Sequence, residues 1–214
     1  MKARLLFLDG KMVKADSRLL DSLAPGAVKR QGAFETMRVR DGEIADLKKH
    51  LGRLAKGLKL LGIRAPYSQK QWEQYLYRTL KANALRQARV RLAIWRERRH
   101  LRTAIVCELF KGYPGEKYKK GFKAVIASAR RKKTRFSHIK SLDYYLFRKA
   151  FLEAKNLNCD EAVLLNSRKE VVEGSRTNIF FAKKGVLYTP AVKCGALNGI
   201  TRQQVICRAR KEKI

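Results

Sequence analysis

Apolar residues recur along this chain with two different periods, and the switches between them mark out its elements. Leu47, Leu51, Leu54, Leu58 and Leu61 fall at spacings of four, three, four and three, which puts them on one face of a helix from about Asp46 to Leu61. Gly62 stands where that helix needs a left-handed C′ residue. Ser68 is placed to cap a second helix reaching about Ala84 and burying Trp72, Leu76 and Leu80. Elsewhere the period drops to two. Residues 4–9 and 11–14 read as a hairpin about Asp9-Gly10, and Phe34 to Arg40 alternates into Asp41-Gly42 ahead of Glu43-Ile44-Ala45. Further strands are predicted near 89–95, 102–109, 123–128, 161–165, 177–182 and 186–189. A helix is expected from about Leu142 to Asn156, and a last one opens near Gly199. Gly112 to Gly121 reads as a loop with a Pro114-Gly115 turn, and the predicted domain boundary falls there, giving 1–112 and 113–214. The pattern is mixed, with no internal repeat.

Composition adds bounds. A chain of 214 residues can bury one large core or two small ones. No apolar run approaches the roughly 18 residues of a membrane span, and the short one at the start is cut by Asp9-Gly10, so a cytoplasmic protein without membrane partners is expected. Cys107, Cys159, Cys194 and Cys207 show no CxxC spacing and read as free thiols; no metal site is predicted. The charge is the outlying figure: 50 Lys+Arg against 18 Asp+Glu, formally +32. That excess attracts nucleic acid without specificity, yet no binding motif accompanies it. The densest runs, Arg96 to Arg102 and Arg130 to Arg135, therefore read as solvated faces.

Candidate chemistry concentrates between His138 and Arg202. Lys140 precedes an apolar helix in Ile139-Lys140-Ser141-Leu142-Asp143-Tyr144. A nucleophilic lysine must lose its proton, which burial or neighbouring positive charge favours. Glu173 follows a strand-like Glu170-Val171-Val172, and Gly199-Ile200-Thr201 opens a helix whose exposed N–H groups and dipole suit a phosphate. Spacing alone leaves each of these an ordinary surface lysine, surface acid or helix cap.

The local wording resembles a known family, the fold-type IV enzymes dependent on pyridoxal phosphate (PLP). Ile139 to Leu146 is similar to the family's "IKSLNYL", with Asp143 in place of Asn. Glu173 to Phe180 is similar to "EGSxSNIF", Leu197 to Ile206 to "LxGITRxxVI", and Leu47 to Ile63 to "HLxRLxxSxxxLGI". The resemblance runs from about Gly32 to Ile206. It implies an α+β fold, with a small N-terminal α/β domain and a larger, barrel-like PLP-binding domain that is incomplete at its C-terminal end, in a homodimer. It also implies that PLP is the cofactor and that Lys140 is the Schiff-base lysine and catalytic base. By the same resemblance Glu173 pairs with the pyridine nitrogen, Tyr144 lies near the phenolic oxygen and Leu197 packs on the ring. Arg53, Gly199, Ile200 and Thr201 would hold the phosphate.

The substrate implied is a small, amino-acid-like molecule, contacted by Phe34, Thr36 and Arg96. "FETMR" at Phe34 to Arg38 is more typical of 4-amino-4-deoxychorismate lyase than the "FEGIR" of branched-chain aminotransferases, so a lyase forming 4-aminobenzoate leads. A class IV transaminase for branched-chain or D-amino acids comes second. An inactive shortened homologue or a basic nucleic-acid binder is a third reading. Relatives carry a further segment with a second hydroxyl-bearing turn at the phosphate, so weak PLP binding or no activity is expected from these 214 residues alone.

Overall fold

The computed structural model describes residues 5–214; residue 4 of the first predicted strand lies outside them. The chain divides into two compact units. One holds the residues up to Tyr113 together with Lys140–Tyr145, and the other holds Pro114–Ile139 and Leu146–Ile214.

The first unit is built on a six-stranded sheet. Strands β1 (Leu5–Leu8), β2 (Lys11–Lys14), β3 (Gln31–Arg40), β4 (Glu43–Ile44), β5 (Ala88–Glu97) and β6 (His100–Leu109) lie in the order β2-β1-β6-β5-β3-β4. All neighbours are antiparallel. The Asp9-Gly10 and Asp41-Gly42 turns take the positive φ values that a two-residue hairpin requires. A short helix α1 (Ser17–Ser22), capped by Asp16, was not legible as a period because it is only six residues long.

Helix α2 (Leu47–Leu60) buries Leu47, Leu51, Leu54 and Leu58, and Gly62 closes it at φ 66°. Helix α3 (Gln69–Ala82) starts at Ser68 in a reciprocal capping box with Gln71, an arrangement worth about 1 kcal/mol. Against one face of the sheet Leu6, Leu23, Phe34, Ala93, Trp95, Ala104, Val106 and Leu142 form a buried cluster.

In the second unit a three-stranded sheet runs β7 (Ala124–Arg130), β8 (Glu161–Leu165), β9 (Val171–Gly174). β7 and β8 are parallel, and the chain between them includes helix α5 (Tyr145–Asn156); β9 returns antiparallel. A two-stranded ribbon, β10 (Phe181–Lys183) and β11 (Val186–Tyr188), and helix α6 (Ile200–Lys211) complete it.

Two expectations of local structure are corrected. Residues 115–120, read as loop, form helix α4 (Gly115–Lys120), entered from Pro114 at its N-cap, with Glu116 as an acid in the first turn. The strand expected from 177 begins only at Phe181: Gly174 N–H donates to Thr177 O at 2.8 Å, so the intervening residues are spent on a tight turn. The four cysteines are free thiols, and burial pushes Cys107 up to about 12.

Candidate active site

The predicted site residues fall into two groups, one in each unit. In the first, Lys140–Leu142 pairs with β3. Phe34 N–H donates to Lys140 O and Leu142 N–H to Gly32 O, both at 2.9 Å, around a bridge from Ala33 to Ser141. This pins the backbone of Lys140 beside Phe34. The Lys140 amine lies 4.7 Å from the centroid of the Phe34 ring and 5.7 Å from that of Tyr144. Those two rings meet edge to face at 5.4 Å. Leu142, fully buried, anchors the segment.

Strand parity then sorts the other candidates. Directly opposed residues of an antiparallel ladder share a face, and faces alternate along a strand. Phe34 opposes Ala93 and Thr36 opposes Arg91, so Phe34, Thr36 and Arg91 lie on one face with the Lys140 amine. Arg96 opposes Gln31 on the other face. It is exposed, and its Nη2 donates to Gly62 O at the end of α2 at 3.0 Å. The structure thus separates Arg96 from Phe34 and Thr36 and puts Arg91 in their company. Arg91 is half-buried, and desolvation lowers its pKa, with Glu108 opposing and Arg89 adding to the effect.

Glu35 occupies the α2 side of β3 and is fully buried. Arg53 Nε and Nη2 donate to its two carboxylate oxygens at 2.6 Å each, and His50 Nδ1 lies 2.7 Å from Oε2. Arg53 is no freely solvated arginine; its side chain is 18% exposed. Burial opposes ionisation of Glu35, but the hydrogen bonds and charges of Arg53 and His50 outweigh it and hold the carboxyl below its usual value.

The second group gathers about β9. Glu173, buried, accepts from Leu197 N–H at 3.1 Å, and Arg131 Nε lies 3.8 Å from its other oxygen. Arg131 also packs its guanidinium 4.8 Å from the centre of the Phe147 ring and donates to Ser137 O. The basic run from 130 to 135 is therefore not a uniformly solvated face; Lys132, Lys133 and Arg135 are exposed and Arg131 is turned inward.

Glu161, also buried, fixes the turn after Glu173. It accepts from Ser175 N–H at 3.0 Å, from the Ser175 hydroxyl, and from Thr177 Oγ1 at 3.0 Å. Helix α6 opens at Gly199 with no side-chain cap on its first-turn donors and no acid in that turn. A Cβ on Gly199 would strike the Asn178 side chain, which accounts for glycine there. Ile200 is buried and Thr201 exposed.

The amino-transferase class IV family model matches residues 32–214. This chain belongs to that family. A putative branched-chain-amino-acid aminotransferase of Methanocaldococcus jannaschii is 34% identical over 98% of this chain and 76% of its own length. An aminodeoxychorismate lyase of Bacillus subtilis is 27% identical over 96% of the chain and 74% of its own length. Among solved structures, the branched-chain aminotransferase of Thermoproteus uzoniensis with norvaline superposes with a TM-score of 0.84 at 30% identity, covering 99% of this chain and 76% of its own. This class IV enzyme is dependent on PLP, and a second matched branched-chain aminotransferase structure holds pyridoxamine 5'-phosphate.

The donor set fits that cofactor. A buried carboxylate is what keeps a proton on a pyridine nitrogen, and uncapped N–H groups at the start of a twelve-residue helix suit its phosphate. The class IV motifs singled out Lys140 and Glu173 and did not point to Glu35, Arg91 or Arg131, whose positions only the structure shows. Glu35 had a signal: it is the one acid on the Met37 and Val39 side of an alternating strand. Arg91 and Arg131, each among several arginines, had none.

Proposed function

We propose that this protein is an amino-acid transaminase, with branched apolar L-amino acids as its donors. PLP, when bound, supplies an electron sink for the carbanion at the substrate Cα. Lys140 Nζ is the base that moves the Cα proton, held in place by the backbone pairing of its segment with β3. The Phe34 and Tyr144 rings crowd water from that amine. Glu173 keeps a proton at the pyridine nitrogen, with Arg131 Nε 3.8 Å from its carboxylate. Leu197 would lie against the ring, the N–H groups of Ile200 and Thr201 at the Gly199 helix start would suit the phosphate, and Arg53 is a further candidate phosphate ligand. Arg91, on the Phe34 and Thr36 face, grips the substrate carboxylate through its planar fork.

The observation that carries the choice between chemistries is resemblance in sequence, at 34% to the branched-chain relative against 27% to the lyase. Arg96, expected to contact the substrate in either reading, stands on the opposite face of β5, engaged at a helix end. The Phe34-Glu35-Thr36-Met37-Arg38 wording remains the specific observation in favour of a lyase. A product comparison tests the proposal. PLP-loaded protein given L-leucine alone should release its 2-oxo acid in an amount equal to the cofactor. The same protein given aminodeoxychorismate should release no 4-aminobenzoate; turnover to 4-aminobenzoate with no 2-oxo acid from leucine would reverse the assignment.

A further inference from the structure

A fully buried glutamate inside a sheet, forked onto an arginine and touched by a histidine, calls for an explanation beyond packing. Removing a carboxylate from water is expensive, and apolar side chains of similar volume stabilise a core at least as well. Yet Glu35 stands among Met37 and Val39 on the α2 side of β3, itself fully buried. Both of its oxygens are committed, to Arg53 Nε and Nη2 at 2.6 Å and to His50 Nδ1 at 2.7 Å. The fork consumes one edge of the guanidinium. It leaves Nη1, for which the described residues supply no hydrogen bond, on a side chain still 18% exposed. Since the guanidinium is planar, fixing one edge fixes the direction of the other.

The strand beside it is also open. Gly32 and Phe34 turn their backbone groups toward Lys140–Leu142. By the alternation of an extended chain, Thr36 turns its N–H and C=O the same way, beyond the end of that pairing and before β4 pairs at Val39. Among the described residues no backbone pairing is seen at the Thr36 edge of β3, the strand that carries Glu35.

We propose that Glu35 is a positioning residue for the cofactor phosphate. It locks Arg53 in one orientation through the fork, so that the guanidinium presents its free edge to the anion without first being ordered, and His50 steadies the carboxylate from its other side. The proposal rests on the reading of Arg53 as a phosphate ligand. A preorganised cation binds more tightly than a mobile one because less conformational entropy is lost on binding. Glu35 also keeps the desolvated guanidinium paired when no phosphate is present.

Paired titrations test this. PLP and pyridoxal, which lacks the phosphate, are titrated by visible absorbance into the parent protein, Glu35→Gln, Glu35→Asp, Arg53→Ala and the Glu35→Gln/Arg53→Ala double variant. Melting curves run alongside. Loss of a charge-assisted contact is expected to weaken PLP binding about tenfold or more in Glu35→Gln, with pyridoxal affinity within about twofold. Glu35→Asp, which keeps the charge but withdraws it by one methylene, should weaken PLP and spare pyridoxal in the same way. The double variant should be no worse than Arg53→Ala alone, because the glutamate acts through the arginine. If Arg53→Ala discriminates against PLP and both Glu35 variants do not, positioning by Glu35 is overturned and the Arg53 reading stands. If Arg53→Ala weakens PLP and pyridoxal equally, the phosphate role of Arg53 fails and the proposal falls with it. Should Glu35→Gln fail to fold, Glu35→Asp decides by the same criterion.

Discussion

Lys140 and Glu173 sit in runs worded like the family's motifs, and the structure gives each a defined backbone setting: Lys140 through its pairing with Phe34, Glu173 through Leu197 N–H. Arg131 could not be told from its basic neighbours, because what singles it out is Glu173, forty-two positions away in the chain. Glu173 also makes the sharpest prediction at this scale. Replacing it with Gln keeps the shape and removes the charge that holds the ring proton. Turnover should fall by an order of magnitude or more while PLP remains bound. Steady-state kinetics on PLP-saturated Glu173→Gln give the check, and unchanged kcat would remove Glu173 from the role assigned to it.

At the scale of elements, period and caps carried most of the fold. Helices α2 and α3 formed where leucine spacing and the Ser68 box placed them, and β3, β5 and β6 followed their alternation. What sequence could not give was which strand lies against which, and therefore which residues share a face. That knowledge is why Arg91, not Arg96, is the proposed carboxylate ligand. On β5 the odd-numbered positions Arg91, Ala93 and Trp95 face the Phe34 side, whereas Arg96 falls on the other. Arg91→Lys keeps a cation but loses the fork, so KM for the amino donor should rise about tenfold or more with a smaller change in kcat. An unmoved KM would show that Arg91 does not touch the substrate. The turn at Gly174 to Thr177 illustrates the same limit: residues 177–180 have strand-like composition, but the acceptors on Glu161 draw Ser175 and Thr177 into a turn.

For the whole molecule, each of the two compact units holds its own set of predicted residues: Arg53, Lys140 and Tyr144 with the β3 sheet, Glu173, Leu197 and Gly199–Thr201 with the β9 sheet and α6. The segment Lys140–Tyr145 belongs with the first unit although the chain on both sides of it lies in the second. A linear boundary cannot express that excursion. Of the basic residues behind the net charge of +32, some, such as Arg53, Arg91 and Arg131, are partly withdrawn from water, while others, such as Lys132, Lys133 and Arg135, are exposed.

The central claim is that these residues move an amino group from one carbon skeleton to another, with Lys140 as the base. Isotope transfer reads that event directly. PLP-loaded protein is incubated with 15N-labelled L-leucine and unlabelled 2-oxoglutarate, and the glutamate formed is weighed by mass spectrometry, with Lys140→Ala in parallel. The account predicts glutamate one mass unit heavier than natural, formed by the parent protein when it is held saturated with PLP and lost by at least about a thousandfold in Lys140→Ala, as expected when the group that moves the proton is removed. Absence of labelled glutamate from PLP-saturated protein, or transfer that persists in Lys140→Ala, would contradict it.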